Sequence, residues 1–119
     1  HPPSHNFAEE VAASALSLKN EGALDDAAGY AARATALDPQ SDFAWTVAGD
    51  IAALRGHWNE AERAWRRAIE IDPNNARAWS HLAHVYLRRG ERALAEAMLN
   101  RALSIKHEPE AAQNLAKLR

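Results

Sequence analysis

One phrase of this chain occurs twice in nearly the same words. LDPQSDFAW at 37–45 returns as IDPNNARAW at 71–79, with Leu37/Ile71, Asp38/Asp72, Pro39/Pro73, Ala44/Ala78 and Trp45/Trp79 in register. A fixed period of about 20–50 residues marks supersecondary units that bury their apolar faces only by stacking on one another. Carried in both directions, the period divides the chain into units at 8–41, 42–75 and 76–108, followed by a tail at 109–119. Residues 1–7, HPPSHNF, hold two prolines and no periodicity. They are expected to form a flexible arm or an expression remnant. The chain begins with His1, which suggests a processed form or an excised piece.

Each unit reads as helix, turn, helix. Gly22, Gly56 and Gly90 share one place between two helical patterns, where a left-handed residue ends the first helix without a Cβ clash. Pro39 and Pro73 close the second helices, because proline offers no amide donor and restricts the residue before it. Ser41 and Asn75 then stand where a side chain can cap the next helix. The pattern predicts helices over 8–21, 24–37, 42–55, 58–71, 76–89 and 92–105. Trp45, Ala48, Gly49 and Ala52 form one apolar stripe, faced by Ala61, Trp65 and Ala68. The third unit repeats it as Trp79, Leu82, Ala83 and Tyr86 against Ala95, Leu99 and Ala102. In the first unit Val11, Ser14, Ala15 and Leu18 facing Ala27, Ala31 and Ala34 make a weaker version. Large rings beside Ala or Gly suit close helix packing, so the tryptophans read as core.

These residues resemble the tetratricopeptide repeat, whose unit of about 34 residues has the pattern W-x2-L-G-x2-Y…A-x3-F…P. Unit two carries Trp45, Gly49, Ala61, Trp65, Ala68 and Pro73, and unit three Trp79, Leu82, Tyr86, Ala95 and Ala102; unit one keeps Ala27, Ala34 and Pro39. His107 takes the proline place in unit three, with Pro109 following shortly after it. The last repeat helix is therefore expected to run slightly long. Residues 109–119 open on that proline and set Ala112, Leu115 and Leu118 on one side, as an end-capping helix would.

The resemblance implies an all-α, right-handed superhelical solenoid whose first helices line a concave binding groove. By family analogy the groove places are Glu9, Ala12, Leu16, Lys19 and Asn20 from unit one. Unit two supplies Phe43, Thr46, Asp50, Ala53 and Leu54, and unit three Arg77, Ser80, His84, Leu87 and Arg88. Core residues are not expected at these places. Phe43 reads as either a partner anchor or a rim residue, and Arg77 and Arg88 as a fork for a peptide carboxylate or a solvated cationic face. The Lys and Asn clamp with which one branch holds chaperone tails is absent: those places hold Ala12, Leu16, Thr46, Asp50, Ser80 and His84. Nor is there the Asn ladder of a glycosyltransferase-associated branch, since Ala13, Val47 and His81 stand there.

Composition narrows the alternatives. No apolar run approaches the roughly 18 residues of a membrane span, and no leader pattern is visible, so no membrane insertion is expected. There is no cysteine, hence no disulfide framework or thiolate site. A cytoplasmic chain is the expectation, with the periplasm left open. The net charge of −2 argues against nucleic acid as a partner. Unit one holds two basic and six acidic residues, unit two four and six, unit three six and three. That gradient could orient a polar peptide, drive head-to-tail association into a homo-oligomer, or amount to separate solvated faces.

His81 and His84 with Asp50 could approach a metal only loosely. Ser80, His84 and Asp50 could be written as a nucleophile, base and orienter, but no strained turn or oxyanion donors accompany them. No Gly-rich phosphate loop or HExxH motif occurs. The reading is a non-enzymatic scaffold or adaptor without cofactor or metal, binding a protein or peptide through Leu16, Lys19, Phe43, Thr46, Asp50, Arg77, Ser80, His84 and Arg88. A self-association domain and a regulatory segment of a larger enzyme or assembly protein are the alternatives.

Overall fold

The structure, a computed structural model, describes residues 3–105 and 109–118. Those residues form seven α-helices: α1 Pro3–Asn20, α2 Leu24–Leu37, α3 Asp42–Leu54, α4 Trp58–Ile71, α5 Ala76–Arg88, α6 Arg92–Ile105 and α7 Pro109–Leu118. The first helix begins before its expected start at residue 8. Residues 3–7 continue α1 rather than forming an arm, since Pro3 suits a first helical turn and nothing after it breaks the helix. Residues 1 and 2 lie outside the described residues, as do 106–108, on which the expected lengthening of α6 rests.

Two kinds of turn alternate. Gly22, Gly56 and Gly90 have φ of 85°, 81° and 78°, the left-handed geometry that lets the chain reverse tightly. In each, the next amide reaches back to the helix: Ala23 N–H to Leu18 O at 2.9 Å, His57 to Ala52 at 2.8 Å and Glu91 to Tyr86 at 2.9 Å. The final turn is thereby satisfied.

The proline turns use the repeated phrase itself. Asp38 Oδ1 accepts from Gln40 N–H at 3.0 Å and Asp72 Oδ1 from Asn74 N–H at 2.9 Å, folding the backbone over the aspartate. Ser41 Oγ caps α3 by accepting from Ala44 N–H at 3.2 Å, and Asn75 Oδ1 caps α5 by accepting from Ala78 N–H at 3.0 Å. Trp45 and Trp79 differ from the expected core role. Both are half-buried, because each indole N–H donates to the preceding turn, Trp45 to Pro39 O at 2.9 Å and Trp79 to Pro73 O at 2.8 Å. They latch the turns.

Consecutive helices pack in antiparallel pairs, and the first helices also touch in series, α1 on α3 and α3 on α5. The result is an elongated stack of 45 × 30 × 21 Å. Its core is uneven. Between α3 and α7 it contains Trp65, Leu82, Val85, Tyr86, Leu99 and Leu115, whereas the α1–α3 region is held by Val11, Val47, Ile51 and a set of alanines.

An ionic cluster joins α4 to α5. Glu62 accepts from Arg89 Nη2 at 2.6 Å and from Arg66 Nε at 3.0 Å. Tyr86 Oη donates to Glu62 at 3.4 Å and accepts from Arg66. The Arg89 hydrogen bond, with the bond from Arg66, outweighs burial and holds the Glu62 carboxyl below its ordinary value. A lowered carboxyl contributes stability that is present above the unfolded value, about 4.3, and is lost as pH falls through the folded one. Glu62→Gln should therefore lower Tm at pH 7, and the gap to the parent should narrow as pH falls below about 4.3. A gap that did not narrow would mean that the carboxylate charge is not what joins these helices.

Candidate protein-binding groove

The face shared by α1, α3 and α5 contains two cavities separated by one side chain. The larger, about 330 Å³, is lined by Lys19 of α1, Asp50, Ala53 and Leu54 of α3, Trp58 and Trp65 of α4, and Arg77, His81 and His84 of α5. The smaller, about 250 Å³, is lined by Asp42, Phe43, Thr46, Asn74, Asn75, Ala76 and Arg77. Arg77 belongs to both.

Asp50 organises the larger cavity. It is 7% exposed, and a carboxylate so placed must be paired. Oδ1 accepts from Trp65 Nε1 at 3.1 Å and from His81 Nδ1 at 2.6 Å, while Oδ2 lies 3.4 Å from Arg77 Nη2. The carboxylate is an acceptor, so His81 carries its proton on Nδ1. The His81 ring stands edge-on to Trp65, with centroids 5.4 Å apart, and 6.3 Å from the His84 ring. Trp65 reaches Asp50 only because it crosses Gly49, where a Cβ would lie 2.5 Å from the indole nitrogen. At the mouth, Arg88 covers Trp58 with its guanidinium 4.4 Å from a ring centroid. Leu54, at 58% exposure, is the open apolar surface beside them.

The smaller cavity is built on a latch between units. Asn75, while capping α5, donates through Nδ2 to Asp42 Oδ2 and to Thr46 Oγ1, both at 2.9 Å. Thr46 Oγ1 itself donates to the Asp42 carbonyl at 2.8 Å. Phe43, exposed at 36%, faces this cavity together with Arg77.

The groove places expected from the sequence thus separate into two groups. Phe43, Leu54, Arg77 and Arg88 are exposed, and Leu16, Lys19 and His84 are half-buried. Ala12, Thr46 and Ser80 are buried, contrary to the expectation that these places avoid the core. All three hold the fifth place of their unit, which turns into the seam between neighbouring first helices. Asp50, at the ninth place, is buried against Trp65 and His81, which donate to it.

Ser80 follows from the latch. It is the counterpart of Thr46 one repeat later, but Pro109 replaces Asn75 and Ala76 replaces Asp42, so its hydroxyl has no protein partner. The Ser80–His84–Asp50 relay is not assembled. Asp50 bonds His81, and His84 Nε2 lies 3.3 Å from Asn114 Nδ2. Among the described residues no three His, Asp or Glu side chains gather as metal ligands would. Trp58, Trp65 and His81 line the groove without being among the expected groove places; Trp58 and Trp65 belong to a second helix, and His81 stands at a first-helix place outside that set.

The fold defines a class, the modules built of stacked helix-turn-helix repeats. Family models of the tetratricopeptide repeat match residues 49–90 and 78–113, and the chain belongs to that family. Among solved structures it is similar to the TPR domain of Arabidopsis OM64, with a TM-score of 0.89 at 15% identity over 98% of this chain and 97% of that one. The first TPR of Spaghetti (RPAP3), bound to the HSP90 peptide SRMEEVD, gives 0.86 at 17% identity over 93% and 89%. The Yersinia enterocolitica type III secretion translocator chaperone SycD gives 0.81 at 21% over 95% and 86%. No curated protein sequence matches the chain. No helix among the described residues is long and apolar enough to cross a membrane.

Removing the hub should be costly and removing the orphan should not. Asp50→Ala leaves the Trp65 and His81 donors unpaired and should cost about 1–3 kcal/mol in urea unfolding. Gly49→Ala, which pushes the indole off Asp50, should cost a similar ~1–3 kcal/mol. Ser80→Ala should stay within about 0.5 kcal/mol of the parent or exceed it, because a buried unpaired hydroxyl is removed. Equal losses at Asp50 and Ser80 would contradict the hydrogen-bond assignment.

Proposed function

We propose that this protein-interaction module holds an extended segment of a partner along the α1–α3–α5 face, as a scaffold or adaptor without chemistry of its own. The observation that carries the reading is the pair of cavities joined at Arg77, with exposed Leu54 at one end and exposed Phe43 at the other. Phe43 and Leu54 stand about three turns apart on α3, a span of about 16 Å, which roughly five extended residues cover. Leu54 and Phe43 supply the apolar anchors. Arg77, Lys19 and Arg88 supply cations to carboxylates or carbonyls between them. In the solved relatives, the first TPR of Spaghetti (RPAP3) is bound to an HSP90 peptide and SycD is a translocator chaperone. Both support protein binding as the general role.

Selection of displayed random peptides on the intact domain provides the test. Peptides enriched on the parent should be lost, by about tenfold or more in Kd, on Leu54→Asp and on Phe43→Ala, since hot-spot anchors cost about 2 kcal/mol or more on truncation. Both side chains are exposed, so the variants should keep the parent's helicity and Tm. Peptides retained equally by parent and variants would place binding elsewhere. A second reading, head-to-tail self-association, draws on the net charge of −4 in residues 8–41 against +3 in 76–108. Light scattering should then show mass rising with concentration at low salt and falling at high salt; a monomer at both salts would count against it.

A further inference from the structure

We infer that a second interaction site lies on the opposite side of α3, in a cleft that takes a partner helix presenting an aromatic ring and a carboxylate one turn apart. The cleft, about 290 Å³, has α3 as floor and α2 and α4 as walls, with Trp45 and Arg55 at its α3 side. It uses Ala48, Ala52 and Arg55, residues on the other face of the helix from Asp50 and Leu54. The two sites are therefore independent, and neither reading depends on the other.

The repeat itself shows what this cleft lacks. Shifted by one repeat, Ala28, Ala32, Ala52 and Arg55 correspond to Glu62, Arg66, Tyr86 and Arg89. At the later junction these four side chains meet as the ionic cluster described above, with the Tyr86 ring under two guanidinium groups at 5.7 and 5.9 Å and its hydroxyl on Glu62. At the earlier junction the ring, the carboxylate and one of the two guanidinium groups are replaced by methyl groups, and only the counterpart of Arg89, Arg55, is kept. Arg55, without an equivalent of Glu62, reaches instead to Asp25 at 3.4 Å, whose side chain is 93% exposed. Such a surface pair contributes little and is readily exchanged.

Charge at the rim favours an acidic visitor. Arg55 and Arg63 both line the cleft; the acidic residue among the lining groups, Glu60, is 3.4 Å from His57. A ring entering over Ala48 and Ala52 would gain apolar burial and stacking on Arg55, and a carboxylate beside it would take the place that Glu62 holds against Arg89. On a helix, a Glu and a Tyr one turn apart, at i and i+4, point to the same side, so a single turn of a partner supplies both groups.

The experiment is an NMR titration of the isotopically labelled full chain with an alanine-based helical peptide carrying Glu and Tyr at i and i+4. Saturable amide shifts should appear in residues 28–35 and 48–55, with Kd on the order of 0.1–1 mM for so small a contact. Replacing the peptide Tyr by Ala should weaken binding about tenfold, and its Glu by Gln about three- to tenfold. Arg55→Gln should weaken the parent peptide by the same factor but leave the Gln peptide unaffected, because the two charges act as a pair. Ala32→Arg, which fills the cleft from an exposed position as Arg66 does, should abolish the shifts while preserving Tm. The proposal fails if no saturable shifts arise, if the Tyr-less and Glu-less peptides shift the same amides equally, or if the shifts map instead to Arg77 and His84 of the groove. It fails also if these amides shift with protein concentration alone, which would make the occupant a second copy of the chain.

Discussion

One carboxylate holds the α3–α5 face together. Asp50 sits on α3 and accepts from Trp65 on α4 and from His81 and Arg77 on α5, so a single buried charge connects both helices of its own unit to the first helix of the next. Taking a carboxylate from water costs several kcal/mol, which only several well-placed donors can offset. The donors are consequently not free to move. Trp65 is pinned over Gly49, His81 is fixed in one ring orientation, and Arg77 is drawn to the ridge between the two cavities. The shape of the groove follows from satisfying Asp50.

Stacked repeats distribute stability through nearest-neighbour contacts, and here the contacts are unequal. The junction of units two and three combines Trp65, Leu82, Tyr86 and Leu99 with the Glu62 ionic cluster. The junction of units one and two relies on Val47, Ile51 and alanines, together with an exposed Arg55–Asp25 pair. The side chains that meet there are smaller. The same small side chains line the cleft there.

Much of the fold was legible because its signals are local. Gly at the left-handed turn, Asp-Pro at the opposite turn and Ser or Asn before the next helix each act through the nearest few residues, and they placed α2, α4 and α6 at their observed bounds. The start of α1 was less so, since a proline near a chain end is compatible with both an arm and a first helical turn. The groove was legible in part. Phe43, Leu54, Arg77 and Arg88 are exposed as expected, whereas Thr46, Asp50 and Ser80 are not. Which of these places faces solvent depends on how closely α1, α3 and α5 approach, a distance that no residue encodes alone.

The chain's own order of residues determined the unit, its two turns, its caps and the stacking of three copies, because a fixed period in turn-forming and apolar residues admits little else. The tertiary structure decided what the copies do differently. His81 and Asp50 are far apart along the chain yet share a hydrogen bond, and Phe43 and Arg77, one full repeat apart, line one cavity. Packing alone brings each pair together, since neighbouring helices meet across whole units. The contrast between Tyr86 with Glu62 and Ala52 with Ala28 acquired meaning in the same way. Three substitutions scattered over two helices become one cleft only when the helices close around them.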